Sequence, residues 1–128
     1  MSECKICNIL KDRSSEIILE SEKFAAISDA RPVTKGHTIA VPKKHIVSFF
    51  DLESNYINDL YIFLKDVKNI LDKKHSPDGY NIGVNDGKAA GRSIDHLHIH
   101  LIPRYLGDVE EPKGGVRHIL GRNNSYKP

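Results

Sequence analysis

Asp95-His96-Leu97-His98-Ile99-His100-Leu101-Ile102 alternates imidazoles with aliphatic side chains without a break. Successive side chains on a β-strand point to opposite faces, so this stretch reads as a strand over residues 96–102. Leu97, Ile99 and Leu101 then share one face and His96, His98 and His100 the other. The aliphatic face can be buried while the histidine face lines a site. Three imidazoles so spaced suit metal binding, phosphate binding or nucleophilic chemistry, and the pattern alone leaves all three open. Idle histidines on an edge strand are disfavoured, because Thr or Lys would serve there.

Moving outward, Tyr80 to Val84 reads as a strand ending in a glycine-rich loop at 85–91. Before it, Ile57, Leu60, Tyr61, Leu64, Val67 and Leu71 recur at the spacing of one helical face. Asp51 or Ser54 is placed to cap this helix, and Lys73, Lys74 and His75 suit its C-terminus. Lys65 and Lys68 join Lys73 and Lys74 on its solvated side. Short strands are expected at 17–19 and 24–27, joined by a turn at Ser21-Glu22-Lys23, and at 37–41, stopping before Pro42. The tail from about residue 104, with Gly114-Gly115-Val116-Arg117, reads as irregular. Strands, one long helix, then strands predict an α+β fold on an antiparallel sheet, as one domain over residues 1–128.

Composition narrows the function. No apolar run approaches the ~20 residues of a membrane span, and the polar N-terminus Met1-Ser-Glu-Cys-Lys-Ile-Cys is unlike a signal peptide. A cytoplasmic protein is expected. The net charge of +2 is too weak to argue for nucleic acid as a partner. The cysteines, Cys4 and Cys7, form a Cys-x-x-Cys pair, which in a reducing compartment suggests half a metal site or a redox motif.

His96-Leu97-His98-Ile99-His100-Leu101-Ile102 matches at every position the signature of the histidine-triad family, three histidines alternating with apolar residues. Gly36-His37-Thr38-Ile39-Ala40-Val41-Pro42-Lys43-Lys44-His45 resembles that family's second hallmark block. Asn81-Ile82-Gly83-Val84-Asn85 and Ala90-Gly91-Arg92-Ser93 resemble its phosphate-contacting segments. The likeness runs from Cys4 to about Arg117.

The resemblance implies hydrolysis at the α-phosphorus of a purine nucleotide. Dinucleoside polyphosphates are the first substrate expected and nucleoside phosphoramidates the second. It implies that His98 attacks phosphorus to form a nucleotidyl-histidine, which water cleaves to nucleoside monophosphate. It also implies that the other ring nitrogen of His98 donates to a backbone carbonyl. His100 and His37 are the implied phosphate contacts and Ser93 the contact to the leaving group. Asn85 is implied at sugar and phosphate, and Asp29 at the ribose hydroxyls. Many family members carry Gln where this chain has Arg92, which adds positive charge near the phosphates. A nucleotidyltransferase or phosphorylase using the same intermediate, and a nucleotide-binding adaptor, are the competing readings.

The same resemblance implies a structural zinc site of Cys4, Cys7, His45 and His96, in a short N-terminal zinc-binding segment. A homodimer is implied as well, paired through the long helix and a central strand. His75 and His118 receive no role.

Overall fold

Ile17 to Ser28 turns back on itself at the polar Ser21–Lys23, and the resulting hairpin starts the sheet. The structure, a computed structural model, describes residues 4–121. β1 (Ile17–Glu20) pairs with β2 (Phe24–Ser28), and β2 with β3 (Thr38–Pro42). After α2 (Ser54–His75), the chain adds β4 (Gly79–Gly83) and β5 (Ile99–Arg104). The order across the antiparallel sheet is β1-β2-β3-β5-β4, so β5 inserts between β3 and β4. This is the α+β architecture expected.

α2 covers one face. Its buried residues Leu60, Phe63, Val67 and Leu71 pack with Phe24, Ala26, Ala40, Leu97, Ile99 and Leu101. Truncating Leu71 to Ala in this layer costs about 2–5 kcal/mol by the usual cavity penalty. Ile57 and Tyr61, expected on that apolar face, are exposed instead, at 41% and 63%. The helix is capped by neither expected residue. Glu53 holds the N-cap position without a side-chain bond, and Asp51 belongs to a short 3-10 turn capped by Ser48. Ser76 in the left-handed region ends α2 before Pro77.

The other face carries α1 (Lys5–Lys11), which the sequence reading missed. Seven residues are too few for a self-supporting helix. α1 is held by Ile6, buried among Ala25, Ile27, Ile39 and Val41, and by Cys4, whose Sγ accepts the Cys7 N–H at 3.3 Å.

The histidine stretch needs one correction. The strand runs from Ile99 to Arg104, not over 96–102. The backbone at 96–98 is occupied elsewhere: the Leu97 N–H donates to the Ile46 carbonyl at 2.7 Å, and the His96 carbonyl accepts from the His98 ring. Pro103 is tolerated within β5 because the pairing to β3 covers only Ile99 to Leu101, so no partner there needs its missing N–H. The alternation survives: Leu97, Ile99 and Leu101 lie in the α2 core. The histidines therefore face the α1 side.

Candidate functional site

Cys4, Cys7, His45 and His96 converge where α1 meets the approach to β5, with all their ligand atoms within 4.8 Å of one another. His96 is fully buried, and its Nε2–H donates to the Pro42 carbonyl at 2.8 Å. A carbonyl only accepts, so the proton sits on Nε2 and the Nδ1 lone pair faces the sulfurs. Nδ1 lies 3.3 Å from Cys4 Sγ and 3.4 Å from Cys7 Sγ. His45 Nδ1 lies 3.3 Å from Cys7 Sγ. Burial pushes the His96 pKa down, which keeps the ring neutral. Tetrahedral zinc with sulfur and nitrogen ligands sets its donor atoms roughly 3.5 Å apart. The donor set, the spacing and the carbonyl behind the histidine fit that ion.

A second group lies farther along the same face. His98, His100, Asp29, Asn85 and Ser93 line an open cleft of about 700 Å³, whose deeper wall includes Ile6, Ile9, Ile27 and Ile39. His98 Nδ1 is 2.9 Å from the His96 carbonyl, so this ring carries its proton on Nδ1 and keeps a lone pair on Nε2. His37 is buried behind His100 and does not line the cleft. Its Nδ1 accepts the Val33 N–H at 3.1 Å, so its own proton is on Nε2. That Nε2 lies 2.9 Å from His100 Nδ1, which then accepts and leaves His100 with an N–H on Nε2.

Asp29 lies beside this pair of rings. Its Oδ1 accepts the Arg31 N–H at 2.8 Å, and its Oδ2 lies 3.4 Å from His37 Nε2 and 3.7 Å from His100 Nδ1. Burial is the main influence on His37 and His100 and lowers both pKa values, with Asp29 opposing. Asp29, His37 and His100 are also near enough to hold a cation. The Val33 N–H argues against one, because a metal on His37 Nε2 would force a proton onto Nδ1, where a donor already points.

Asn85 and Ser93 are exposed on the cleft wall. Arg92 is turned aside, with Nε 3.0 Å from Asp95 Oδ1, and does not line the cleft.

Residues 11–107 match the HIT domain, the histidine-triad profile. The chain belongs to the HIT domain family. A HIT-like protein of Methanocaldococcus jannaschii is 40% identical over 115 residues, covering 88% of this chain and 87% of that one. The bis(5'-adenosyl)-triphosphatase of Dictyostelium discoideum is 33% identical over 98 residues, covering 77% of this chain and 66% of the relative. The crystal structure of a Zn-bound histidine triad family protein from Mycobacterium smegmatis superposes with a TM-score of 0.76. It is 33% identical and covers 85% of this chain and 80% of that one. The fold and the family expected from the histidine stretch are both shown.

Several residues of this HIT domain escaped the sequence reading. Asp86 anchors the loop beside Asn85 by accepting from Ser48 Oγ at 3.0 Å and from the Phe49 N–H at 2.9 Å. An Asn-Asp-Gly turn carries no sign of that contact. The backbone groups of Val33, Pro42 and His96 that hold the rings are invisible in any side-chain pattern.

Proposed function

We propose that the protein is a nucleotide hydrolase acting at the α-phosphorus of purine dinucleoside polyphosphates, and secondarily of nucleoside phosphoramidates. The observation that carries this reading is the His98 ring, bonded at Nδ1 to the His96 carbonyl and opening onto the cleft beside His100. A neutral imidazole so held offers Nε2 as a nucleophile at neutral pH.

In this reading the Nε2 lone pair forms an N–P bond as the bond from phosphorus to the leaving group breaks. The ring becomes cationic, and the His96 carbonyl stabilises its Nδ1–H. The His100 Nε2–H donates to a non-bridging oxygen, where charge develops. His37 acts from behind, fixing which His100 nitrogen carries the proton. Ser93 contacts the leaving group, Asn85 the sugar and phosphate, and Asp29 the ribose hydroxyls. Water then cleaves the N–P bond, releasing nucleoside monophosphate and restoring neutral His98. By exchanging its partner Asp95 for the phosphates, Arg92 favours longer polyphosphates. Cys4, Cys7, His45 and His96 hold a structural zinc that ties the N-terminus to the segment carrying His98.

The protein works in this reading as a homodimer. Ile57, Tyr61 and Ile62 on α2 and Ile82 on β4 are exposed and apolar, and because β4 is an edge strand such pairing uses the long helix with the sheet edge and not the central strand expected. The test is mass spectrometry of protein quenched without acid during turnover of diadenosine tetraphosphate. An AMP-sized adduct on the wild type, absent from His98→Ala, supports the reading. Equal turnover in both proteins, without an adduct, refutes it.

A further inference from the structure

We propose that Thr34 is a positioning residue that sets which nitrogen of His100 carries its proton. This rests on the nucleotide reading above, in which His100 donates from Nε2 to phosphate. Thr34 belongs to the loop between β2 and β3 and does not line the cleft. Its hydroxyl donates to the Pro103 carbonyl at 2.6 Å. The ladder between β3 and β5 covers Thr38–Ala40 against Ile99–Leu101. Thr34 therefore ties the loop to β5 beyond the point where that pairing stops.

The tie matters because of the residue before it. The Val33 N–H is the donor that meets His37 Nδ1 at 3.1 Å. Val33 itself is 69% exposed, so its side chain does little to hold that N–H in place. The base of the loop is closed by the Asp29 N–H on the His37 carbonyl at 3.0 Å, and the His37 N–H reaches the Thr34 carbonyl at 3.2 Å. The Thr34 hydroxyl attaches this turn to β5 next to Val33. On its other side the Tyr105 hydroxyl donates to the Lys35 carbonyl at 2.7 Å.

Two proton arrangements compete across the rings. In one, the His37 Nε2–H donates to His100 Nδ1, and His100 keeps its proton on Nε2. In the other, His100 donates from Nδ1 to His37 Nε2, and the His37 proton sits on Nδ1. Either way one proton lies between nitrogens 2.9 Å apart. Asp29 Oδ2 is beside both, 3.4 Å from the His37 nitrogen and 3.7 Å from that of His100, so it chooses only weakly between them. The Val33 N–H chooses strongly, because it would clash with a proton on His37 Nδ1. Such a hydrogen bond shifts a local equilibrium roughly tenfold. Without it the two arrangements become comparable, and the second leaves His100 no N–H on Nε2 for phosphate.

The test compares wild type, Thr34→Val and Thr34→Ser as zinc-loaded full chains. Long-range ¹H–¹⁵N correlation spectra of the imidazoles at pH 8 are read beside turnover of diadenosine tetraphosphate. In Thr34→Val the Nδ1 and Nε2 shifts of His100 should move toward each other, and kcat should fall about twofold to fivefold. Thr34→Ser keeps the hydroxyl and should restore both. The Tyr105 bond to Lys35 keeps the loop attached in either variant. His100 still protonated wholly on Nε2 in Thr34→Val overturns the proposal, whatever the rate does. A wild type without turnover, with the His100 shifts still moving in Thr34→Val, overturns the hydrolase reading and leaves the role of Thr34 standing.

Discussion

His96 and His98 are two residues apart, on the same side of the same segment, and each gives one ring N–H to a backbone carbonyl. They do so through different nitrogens. His96 donates from Nε2 to Pro42 and turns its Nδ1 lone pair toward two cysteines. His98 donates from Nδ1 to His96 and turns its Nε2 lone pair outward. One ring joins a candidate metal-ligand set and the other is a candidate nucleophile. The difference lies in which backbone group each ring meets, and the side chains are identical. The pair His37 and His100 extends the lesson, because there a backbone N–H, not a carbonyl, sets the proton positions. A histidine's chemistry on this sheet is decided by its second nitrogen.

The sharpest way to break this comparison is to remove each ring's role and ask what is lost. His98→Ala should lower turnover of diadenosine tetraphosphate by at least about 10³-fold, as removal of a covalent nucleophile does. Its melting temperature should stay within a few degrees of the wild type. Stripping zinc with a chelator, or the double change Cys4→Ser and Cys7→Ser, should instead act on folding. Scanning calorimetry should show a fall in Tm on the order of 10 °C or more, because a closed structural site contributes folding energy. Loss of chemistry without loss of stability there would invert the assignment of the two regions.

His37→Ala tests the middle of the comparison. It removes the donor to His100 and leaves the Val33 N–H without its acceptor. Turnover should fall about 10- to 100-fold, the cost of a misplaced catalytic group. The affinity for zinc, followed by competition with a chromogenic chelator, should not move.

The pH dependence of stability gives a smaller effect. Burial lowers the pKa values of His37 and His100. Near pH 6.5 the unfolded chain takes up protons that the folded rings still refuse. Their contribution is therefore complete above that pH and is lost as the pH falls below it. Tm measured from pH 8 to pH 5 in the cysteine-free double variant should decline below about pH 6.5, and a flat or rising profile would contradict the buried pair. The smallest effect expected is that of Arg92→Gln, a several-fold drop in preference for dinucleoside polyphosphate over AMP-phosphoramidate, read from the ratio of kcat/KM values.

The strand alternation made the sheet and the histidine face legible, since Leu97, Ile99 and Leu101 have no other reason to interleave with imidazoles. The i, i+3, i+4 pattern gave the helix, although Ile57 and Tyr61 follow the pattern and still face outward. Periodicity records which residues are apolar and not which of them find a partner. α1 was illegible because seven residues carry too little period, and what holds it is Ile6 together with the cysteine cluster. The start of β5 at Ile99 was hidden for a similar reason: the His96 carbonyl is taken by a side chain, a bond that no pattern of residue types announces. Cys4, Cys7, His45 and His96 were named together only through the family resemblance, as the spacing of two cysteines suggests half a site.

The most direct test of this account is a long-range ¹H–¹⁵N correlation spectrum of the imidazoles in zinc-loaded protein at pH 8, which reports the protonated nitrogen of each ring. The account predicts opposite tautomers two residues apart, His96 protonated on Nε2 and His98 on Nδ1, with His37 and His100 both protonated on Nε2. His98 protonated on Nε2 would leave no lone pair facing the cleft and would contradict its role as nucleophile.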